Sequence, residues 1–458
     1  MKTYCKNLDL TDQSFIFEAI LAYLHDKIRK RSTVRFISGY TGYSESYVRN
    51  TLLAERAPED NSAKDKFLIS TCMRLAKEMS DHISLRTVRE HIIQRSYGEK
   101  IIRYLEITDT GSKKRRDLGL EATIFRLYEA VANEAAMPLF RAKVGEFQIG
   151  SIKGKGQAYG RKAILRWMSR DPEGTKYGIQ ADVSKCYPSI PHENLKAMYH
   201  RDLKKSQDLL YLLDTFLLLY EEYPNPKATD PHRGILIGSP VSKDLCNYFV
   251  SRLYHYASEK LYVEKKRRGV VRRERMLSHI IIYADDILIF GQNKRLLHNA
   301  MKMVSAFARD CLGLTVKPSW VKFRTQYCGR SGRLTGCVID FIGLQFHGGE
   351  VTEKFYYGRR TKHRRAWVTI RGRTFIKAKR KLFRFTRMVK RSITVTQKFA
   401  KSLVSYYGCF TNTDAAAFRR KNKVDQIMRI ARRIISDYVK GKPYHTTKYY
   451  DMWRSRIA

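Results

Sequence analysis

The sequence lacks the paired cysteine motifs that bind structural zinc or form a disulfide framework. None of its eight cysteines belongs to a C-x-x-C pair, so their spacing predicts neither a zinc finger nor a disulfide framework. Cys328 and Cys337 could pair as metal ligands, and scattered reduced thiols are the alternative. We therefore expect a cytoplasmic protein.

Long hydrophobic runs are also missing. The longest apolar stretch, Leu209 to Tyr220, is interrupted by Asp214 and predicts a buried helix rather than a membrane span. The N-terminus, MKTYCKNLDL, does not have the pattern of a signal peptide. From these observations we expect no membrane partner.

Acidic residues are scarce relative to basic ones. The chain of 458 residues has 88 Lys and Arg against 44 Asp and Glu, a formal net charge of +44. This excess is far larger than solubility requires and indicates a polyanionic partner, most simply nucleic acid. An acidic membrane surface is the competing interpretation, but 12% aromatic residues and the lack of an amphipathic anchor argue against it. The length and the hydrophobic content of 43% predict two or three globular domains.

A nucleotide-binding Walker loop is not present. The segment 147–161, FQIGSIKGKGQAYGR, lacks the G-K-[ST] ending of that motif. Its glycines alternate with Lys153 and Lys155, which predicts a flexible cationic loop that could lie against a phosphate backbone.

The first hundred residues have helical periodicity. We expect helices at 14–30 and 64–82, and between them a pair of helices over 33–55 that is broken at Gly42. This pattern is compatible with a helix-turn-helix whose recognition residues are Tyr47, Arg49 and Asn50. A helical packing module without nucleic-acid contacts is the alternative.

The most informative stretch is 279–290, HIIIYADDILIF. Two short β-branched runs flank a polar centre, which predicts a hairpin of buried strands with Asp285 and Asp286 at its turn. Two adjacent carboxylates repel each other, and a bound divalent cation removes that cost. An ordinary exposed turn is the alternative interpretation, because Asp is common in turns.

A third acid lies about a hundred residues upstream in a similar setting. The segment 177–183 alternates like a strand that ends at Asp182, and Tyr187 follows five residues later. If Asp182 converges with the acids of 279–290, three carboxylates could hold two Mg²⁺ ions for an in-line displacement at phosphorus. The sequence contains no Ser, Cys or His triad that would indicate covalent catalysis.

Several cations and glycines could contact a nucleotide. A hairpin over 101–118 has Lys114 and Arg116 near its tip, which suits a triphosphate, although a solvated charge cluster is equally compatible. Gly238 and Ser239 stand in a loop that opens the next helix and allows close backbone approach. Lys317 ends a later predicted strand.

Two further segments are strongly basic. Residues 265–275, KKRRGVVRRER, predict a basic hairpin just before the Asp-Asp strands. From 359 to 391 about half of the residues are Lys or Arg with aromatic residues between them, which is typical of a groove along a nucleic-acid duplex. Arg365, Arg371 and Lys379 are its candidate contacts. Helical structure is expected at 393–407 and 414–440, and a strand at 338–346.

Residues 105–410 resemble reverse transcriptases of the bacterial and phage type. The motifs that resemble that family are the Asp182 strand, the Gly238-Ser239-Pro240 loop, the Tyr283-Ala284-Asp285-Asp286 tetrad, Lys317, Phe341-Ile342-Gly343-Leu344 and Ser405-Tyr406-Tyr407-Gly408. The first four match the family's palm, template loop, catalytic tetrad and phosphate-proximal lysine, and the last two match its primer grip and thumb. The pattern does not select among retron, diversity-generating and defence-associated enzymes.

The resemblance implies roles for individual residues. Asp182, Asp285 and Asp286 would be catalytic, and with Val183 they would form the metal site. Tyr187 would be the aromatic gate that disfavours ribonucleotides. Lys114, Arg116, Gly238, Ser239 and Lys317 would lie at the nucleotide.

It also implies an α+β fold with fingers, a palm built on a small antiparallel sheet and a helical thumb. The expected parts are an N-terminal helical extension (1–100), fingers and palm (101–347), and a basic thumb with C-terminal helices (348–458). The expected activity is RNA-directed DNA synthesis from dNTPs with two Mg²⁺ ions, for which Mn²⁺ could substitute, on a structured non-coding RNA. The expected setting is a prokaryotic retroelement or antiphage defence system.

Other functions stay open at this stage. A polymerase that works without a template or from a protein primer is one alternative, and a non-catalytic RNA-binding protein with a polymerase fold is another. The chain could also act as a homo-oligomer or with an accessory protein.

Overall fold

A computed structural model describes residues 3–6, 8–28, 30–53, 62–108, 115–325, 337–356 and 359–457. Contacts divide the chain into two compact units, which are described separately below. The first unit consists of Met1–Lys153, Ala181–Lys260 and Met301–Ser319, and the second of Gly154–Gln180, Leu261–Ala300 and Trp320–Ala458.

The described chain is mainly helical, with small antiparallel sheets. The helices are α1 (Gln13–Lys27), α2 (Arg31–Thr41), α3 (Glu45–Tyr47), α4 (Ser62–Ser84), α5 (Val88–Gln94), α6 (Thr123–Lys143), α7 (Gln157–Arg170), α8 (Cys186–Ser189), α9 (His192–Asp202), α10 (Gln207–Glu222), α11 (Ser242–His255), α12 (Lys294–Leu312), α13 (Gly372–Lys390), α14 (Gln397–Val404), α15 (Tyr407–Thr411), α16 (Ala416–Lys421), α17 (Val424–Val439) and α18 (Thr446–Ile457). The strands are β1 (Ile102–Thr108), β2 (Arg115–Glu121), β3 (Tyr177–Asp182), β4 (Tyr262–Arg267), β5 (Val270–Arg275), β6 (His279–Tyr283), β7 (Asp286–Gly291), β8 (Val321–Arg324), β9 (Ile339–Phe341), β10 (Leu344–Tyr356) and β11 (Arg359–Ile370).

The N-terminal helices of the first unit follow the predicted pattern. Helices α1 and α4 confirm the two single helices, and α5 is an additional helix. Gly42 ends α2 in the left-handed conformation with φ of 78°, and the Ser44 side chain accepts from the Tyr47 backbone N–H at 3.2 Å. The predicted break is therefore confirmed, and the side chains of Tyr43, between the two helices, and Tyr47, on α3, are exposed. A nucleic-acid contact there stays a prediction.

Helix α6 forms the centre of the first unit. Most of its residues are buried, and it packs against α1, α10 and α11. The apolar stretch that predicted a buried helix is α10, which confirms that expectation. No helix in the described ranges is both long and apolar enough to cross a membrane.

A four-stranded sheet in the order β6-β7-β3-β8 organises the second unit. Strands β6 and β7 pair antiparallel from His279 with Phe290 to Tyr283 with Asp286. The isoleucines of β6 and the apolar residues of β7 are buried, which is typical of near-continuous apolar strands in the interior of a protein. The predicted buried hairpin is confirmed.

Two predictions on the second unit were wrong. The expected single strand at 338–346 is interrupted, because Ile342 and Gly343 have φ of 49° and 77° and form a tight turn between β9 and β10. The expected flexible loop up to Arg161 is helical from Gln157 onward, and the Gln157 side chain donates to the Ile342 carbonyl oxygen at 2.7 Å.

The C-terminal helices have a core of their own within the second unit. Helix α13 buries Ala378, Leu382, Phe385 and Val389 against α14, α17 and α18. This spacing places the buried residues on one face and leaves Lys and Arg side chains on the other. The helix expected at 393–407 is confirmed as α14, and the segment 414–440 contains α16 and α17.

Candidate active site

The turn between β6 and β7 presents two carboxylates at the end of buried strands. Tyr283 pairs with Asp286, so Ala284 and Asp285 form a two-residue turn. Ala284 adopts a φ of 54°, which is uncommon for a residue with a Cβ and indicates a turn held by its surroundings. Asp285 and Asp286 are half-buried. The hairpin therefore confirms the expected geometry of an acidic pair on a rigid support.

The third acid lies in the first unit beside a cation. Asp182 ends β3, and its backbone carbonyl oxygen accepts from the Lys317 N–H at 2.9 Å. An isolated bridge between Val183 and Val316 fixes the same register. The Lys317 ammonium forms an ion pair with the Asp182 carboxylate. Lys317, expected at the nucleotide phosphates, thus directly contacts a proposed metal ligand.

The donor set suits Mg²⁺. Asp182, Asp285 and Asp286 supply hard carboxylate oxygens on partly exposed side chains, which is the chemistry that Mg²⁺ prefers. Within the described residues, no three His, Cys, Asp or Glu side chains are grouped closely enough to hold a metal by themselves. Bound Mg²⁺ would need further oxygens, such as the Val183 carbonyl and substrate phosphates, to complete its coordination.

Tyr187 lies at the start of a short helix next to the Asp182 strand. Its carbonyl oxygen accepts from the Ile235 N–H at 3.0 Å, which ties it to the loop that contains Gly238. Burial raises the pKa of its phenol well above the usual value, and Cys246 beside it acts in the same direction. The ring is therefore neutral and its position is defined by packing. Cys186 and Cys246 lie behind it with their Sγ atoms 3.7 Å apart.

In the loop that contains Gly238 and Ser239, the hydroxyl of Ser239 is directed into the protein interior. Gly238 has a φ of 107°, and a Cβ at this position would lie 3.0 Å from Leu118, so glycine is favoured here. Ser239 is buried, and its hydroxyl donates to Glu129 Oε1 at 2.9 Å. The Ser239 side chain therefore anchors the loop, and this contact orients the Ser239 backbone.

A buried acid beneath this loop was missed at the sequence level. Glu129 on α6 has no exposed surface and also accepts from the Tyr220 hydroxyl at 2.5 Å. Burial, with Glu121 nearby, raises the pKa of Glu129 well above its ordinary value, so the group is held protonated. Phe125, Glu129 and Ala132 share the buried face of the helix, and a Glu on an apolar helical face was the available signal.

The remaining candidate contacts are dispersed. Lys114 lies outside the described residues, whereas Arg116 is exposed on β2. Lys153 is exposed in a turn of the first unit. Lys155, in the second unit, has its ammonium 5.9 Å from the centre of the Tyr159 ring.

The basic candidates on β11 and α13 lie on the surface of the second unit. Arg365 and Lys379 are exposed, and Arg371 Nε donates to Asp340 Oδ1 at 2.6 Å. Arg364 is instead buried, and it donates to Thr325 Oγ1 at 2.8 Å and to the Pro172 carbonyl oxygen at 2.8 Å. One arginine of this basic segment is therefore structural and cannot contact a nucleic-acid backbone.

Comparison with known proteins defines the class. The sequence model of the family described as reverse transcriptase (RNA-dependent DNA polymerase) matches residues 107–354, more than half of the chain. The matched domain is of the class found in template-copying nucleotidyltransferases. The chain belongs to the reverse transcriptase family.

The other comparisons with known proteins add little information on function. A search of curated proteins finds no match. One similar solved structure, the apo telomerase from Candida tropicalis truncated from its C-terminal domain, has a TM-score of 0.35 and 11% sequence identity. The alignment covers 63% of this chain and 66% of that chain, which is just under two thirds of the telomerase. Similarity at this level is too low to transfer functional detail.

Membership of the family assigns the general properties of the chain. The mixed helical and antiparallel sheet structure is an α+β right-hand polymerase fold. The family is described by RNA-dependent DNA polymerase activity. Enzymes of this family use divalent metal ions, generally Mg²⁺.

Proposed function

We propose that this chain makes cDNA from dNTPs by two-metal nucleotidyl transfer at Asp182, Asp285 and Asp286. The observation that carries the proposal is the rigid Asp285-Asp286 turn at the end of buried strands in a reverse transcriptase sequence. The strand order supports it, because β3, which ends at Asp182, is the neighbour of β7, which begins at Asp286.

The chain's residues would bind and orient the reactants. Asp182, Asp285, Asp286 and the Val183 carbonyl would hold the ions, and the substrate phosphates would complete the coordination. Two bound Mg²⁺ would neutralise charge on the attacking and leaving oxygens. The primer 3′-oxygen bonds to the α-phosphorus, its proton passes to solvent or a nearby base, and pyrophosphate leaves. Positioning and charge neutralisation supply the rate gain, without a covalent intermediate.

Residues around Asp182 would select the nucleotide. Lys317 would move between the Asp182 carboxylate and the incoming phosphates, since its ammonium already contacts this acid. The packed ring of Tyr187 would meet the 2′-hydroxyl of a ribonucleotide. Lys114 and Arg116 would reach the triphosphate from the β1–β2 hairpin. The Gly238-Ser239 backbone, anchored on Glu129, would support the template base.

The basic surface would hold the nucleic-acid backbone. Arg365, Arg371 and Lys379 on the second unit, with Lys153 and Lys155, are the proposed contacts. The formal net charge of +44 exceeds what a short primer-template requires, which favours a large structured non-coding RNA as template or bound partner.

The organisation and setting follow from the same argument. We propose a helical N-terminal extension (1–100), fingers and palm (101–347), and a basic thumb with C-terminal helices (348–458). The family match begins at residue 107, so the extension would adapt the enzyme to its own RNA or to a partner. The proposed setting is a prokaryotic retroelement or an antiphage defence system in the cytoplasm.

Replacing one acid tests the central assignment. Asp285→Asn should reduce dNTP incorporation on a primed RNA template by about a thousandfold or more, because charge stabilisation at the reacting phosphorus is lost. RNA affinity should stay within about twofold, since phosphate contacts elsewhere dominate binding. The matched control is Asp310→Asn, a surface acid that is 57% exposed and paired with Arg309.

Three outcomes would contradict the proposal. Full extension by Asp285→Asn would remove Asp285 from the metal site. Extension by the wild-type protein without a template would favour the template-independent alternative. A wild-type protein that binds RNA but incorporates neither dNTPs nor NTPs with Mg²⁺ or Mn²⁺ would be a binding protein with a polymerase fold.

A further inference from the structure

Residues 262–275 form a two-stranded ribbon, here called the basic ribbon, that neither the family assignment nor the proposed chemistry explains. Strands β4 and β5 pair from Tyr262 with Arg275 to Arg267 with Val270. Arg268 and Gly269 close the turn with φ of 50° and 80°, as in a tight two-residue hairpin. Most of its described side chains are exposed on both faces. An isolated two-stranded hairpin is marginally stable in water, so a partner is expected to cover it.

The charge of the basic ribbon identifies the chemistry of that partner. The ribbon contains seven Lys and Arg against two Glu. Both glutamates are used in cross-strand pairs, Glu264 with Arg273 at 3.0 Å and Glu274 with Lys265. Four further cations form no ion pair with any acid that the structure describes: Lys266, Arg268, Arg272 and Arg275. A cationic strip of this width complements a nucleic-acid backbone.

The tip of the basic ribbon has two apolar side chains that charge alone does not explain. Val270 is 57% exposed and Val271 is 56% exposed. Because successive residues of a strand point to opposite faces, each face of the tip carries one valine beside cations. Exposed apolar side chains flanked by cations are the features of wedges that unstack base pairs in architectural nucleic-acid-binding proteins.

The base of the ribbon is anchored on the strands that carry the acids. Met276 and Leu277 are buried, and the Met276 N–H donates to the Leu261 carbonyl oxygen at 3.1 Å. The Ser278 N–H donates to the Phe290 carbonyl oxygen on β7 at 2.7 Å. Only β6 separates this base from the Asp285 turn, a span of about 17 Å for five residues. The ribbon is thus a projection on a rigid support, within one strand length of the proposed chemistry.

We propose that the basic ribbon opens base-paired template ahead of synthesis. Its cations hold the phosphates at the junction of single and double strand, and Val270 and Val271 pack against the terminal base pair. Unstacking a base pair is unfavourable, and the phosphate contacts and the buried valine surface offset this cost. This role rests on the proposed polymerase function, because it requires a template that moves toward the acids.

Primer extension on two templates tests the wedge. One RNA template is single-stranded ahead of the primer, and the other carries an annealed strand there. Val270→Ser/Val271→Ser should slow extension through the duplex by about tenfold, since the apolar contact with the base pair is lost. Extension on the open template should stay within about twofold. The matched control is Val439→Ser/Val338→Ser, which alters two exposed valines elsewhere in the second unit.

A second readout separates the ribbon from the polymerase. Fluorescence of 2-aminopurine at the junction, measured without dNTPs in the Asp285→Asn background, should rise when the protein binds and should not rise with Val270→Ser/Val271→Ser. Junction opening by a wild-type protein that incorporates no nucleotide would leave the wedge intact and contradict only the proposed function.

Two results would overturn the wedge. One is that the valine variant slows extension equally on both templates, or slows it on neither. The other result combines two observations: Lys266→Gln/Arg272→Gln lowers affinity for the template, and the valine variant does not change junction opening. The ribbon would then bind the duplex without opening it.

Discussion

Two hairpins that follow each other in the second unit show opposite uses of the same backbone geometry. The basic ribbon, β4–β5, and the acid-bearing hairpin, β6–β7, are both antiparallel pairs closed by two-residue turns with a positive φ. In β6–β7 the strands are Ile- and Leu-rich and buried, whereas in β4–β5 they are Lys- and Arg-rich and exposed. Only Met276, Leu277 and Ser278 separate them.

The difference shows what burial contributes to a functional group. Apolar packing on both sides holds the Asp285-Asp286 turn in one position, as a metal site requires. The basic ribbon lacks such packing beyond its base, so a bound partner is expected to add to its stability. The acid-bearing hairpin is held by packing on the protein, whereas the basic ribbon is held at its base and offers its exposed faces to nucleic acid.

The largest expected effect on stability comes from shortening a buried side chain of the acid-bearing hairpin. Ile281→Ala should lower the free energy of unfolding by about 2–5 kcal/mol, because it leaves a cavity in a fully buried strand. Val271→Ala, its counterpart on the basic ribbon, should change it by no more than about 0.5 kcal/mol. Urea denaturation followed by circular dichroism measures both. Equal losses would show that the basic ribbon is packed in solution.

A smaller effect is expected from a side chain added where strands pack closely. A Cβ at Gly178 on β3 would lie 2.1 Å from the Phe323 ring, so Gly178→Ala should cost about 1–3 kcal/mol. Phe323→Leu in the same chain should recover part of this loss, because the two residues are in contact. Additive losses in urea denaturation of the double variant would contradict a clash at this position.

The control for this substitution is at the exposed turn. A Cβ at Gly269 meets nothing within 4 Å, and its φ of 80° is the only cost of Gly269→Ala. No ring substitution should rescue that variant, because its cost is conformational strain of about 1 kcal/mol.

The smallest expected effect, taken per pH unit, concerns the protonation of Glu129. The pKa of Glu129 is raised in the folded chain, so its stabilising contribution is complete below the ordinary Glu pKa of about 4.3 and is lost as pH rises above it. Glu129→Gln keeps acceptors for Tyr220 and Ser239 but has no proton to lose. Relative to the variant, the wild type should lose about 1 kcal/mol of stability per pH unit above that value.

Denaturation at a series of pH values between 5 and 8 checks this expectation. The matched control is Glu264→Gln on the basic ribbon, an exposed glutamate paired with Arg273, which should show the same pH dependence as wild type. A constant difference between wild type and Glu129→Gln across the series would show that Glu129 is ionised in the folded chain.

Local patterns were sufficient for much of the fold. The alternation before Asp182, the β-branched runs around Asp285 and the Gly42 break each depend on neighbours within a few residues, and all three are confirmed. The break at Ile342 was missed because an isoleucine with positive φ contradicts its own propensity and is held by long-range contacts such as the Gln157 hydrogen bond.

The sequence by itself therefore determined where acids, cations and glycines stand along helices and strands, and which family they belong to. Only the tertiary structure decided their partners: Lys317 with Asp182, Ser239 with Glu129, and an Arg364 that is buried while Arg365 is exposed. The physical reason is that periodicity is a property of a few consecutive residues. Pairing and burial depend instead on segments more than a hundred residues apart, whose contacts form only when the chain has packed.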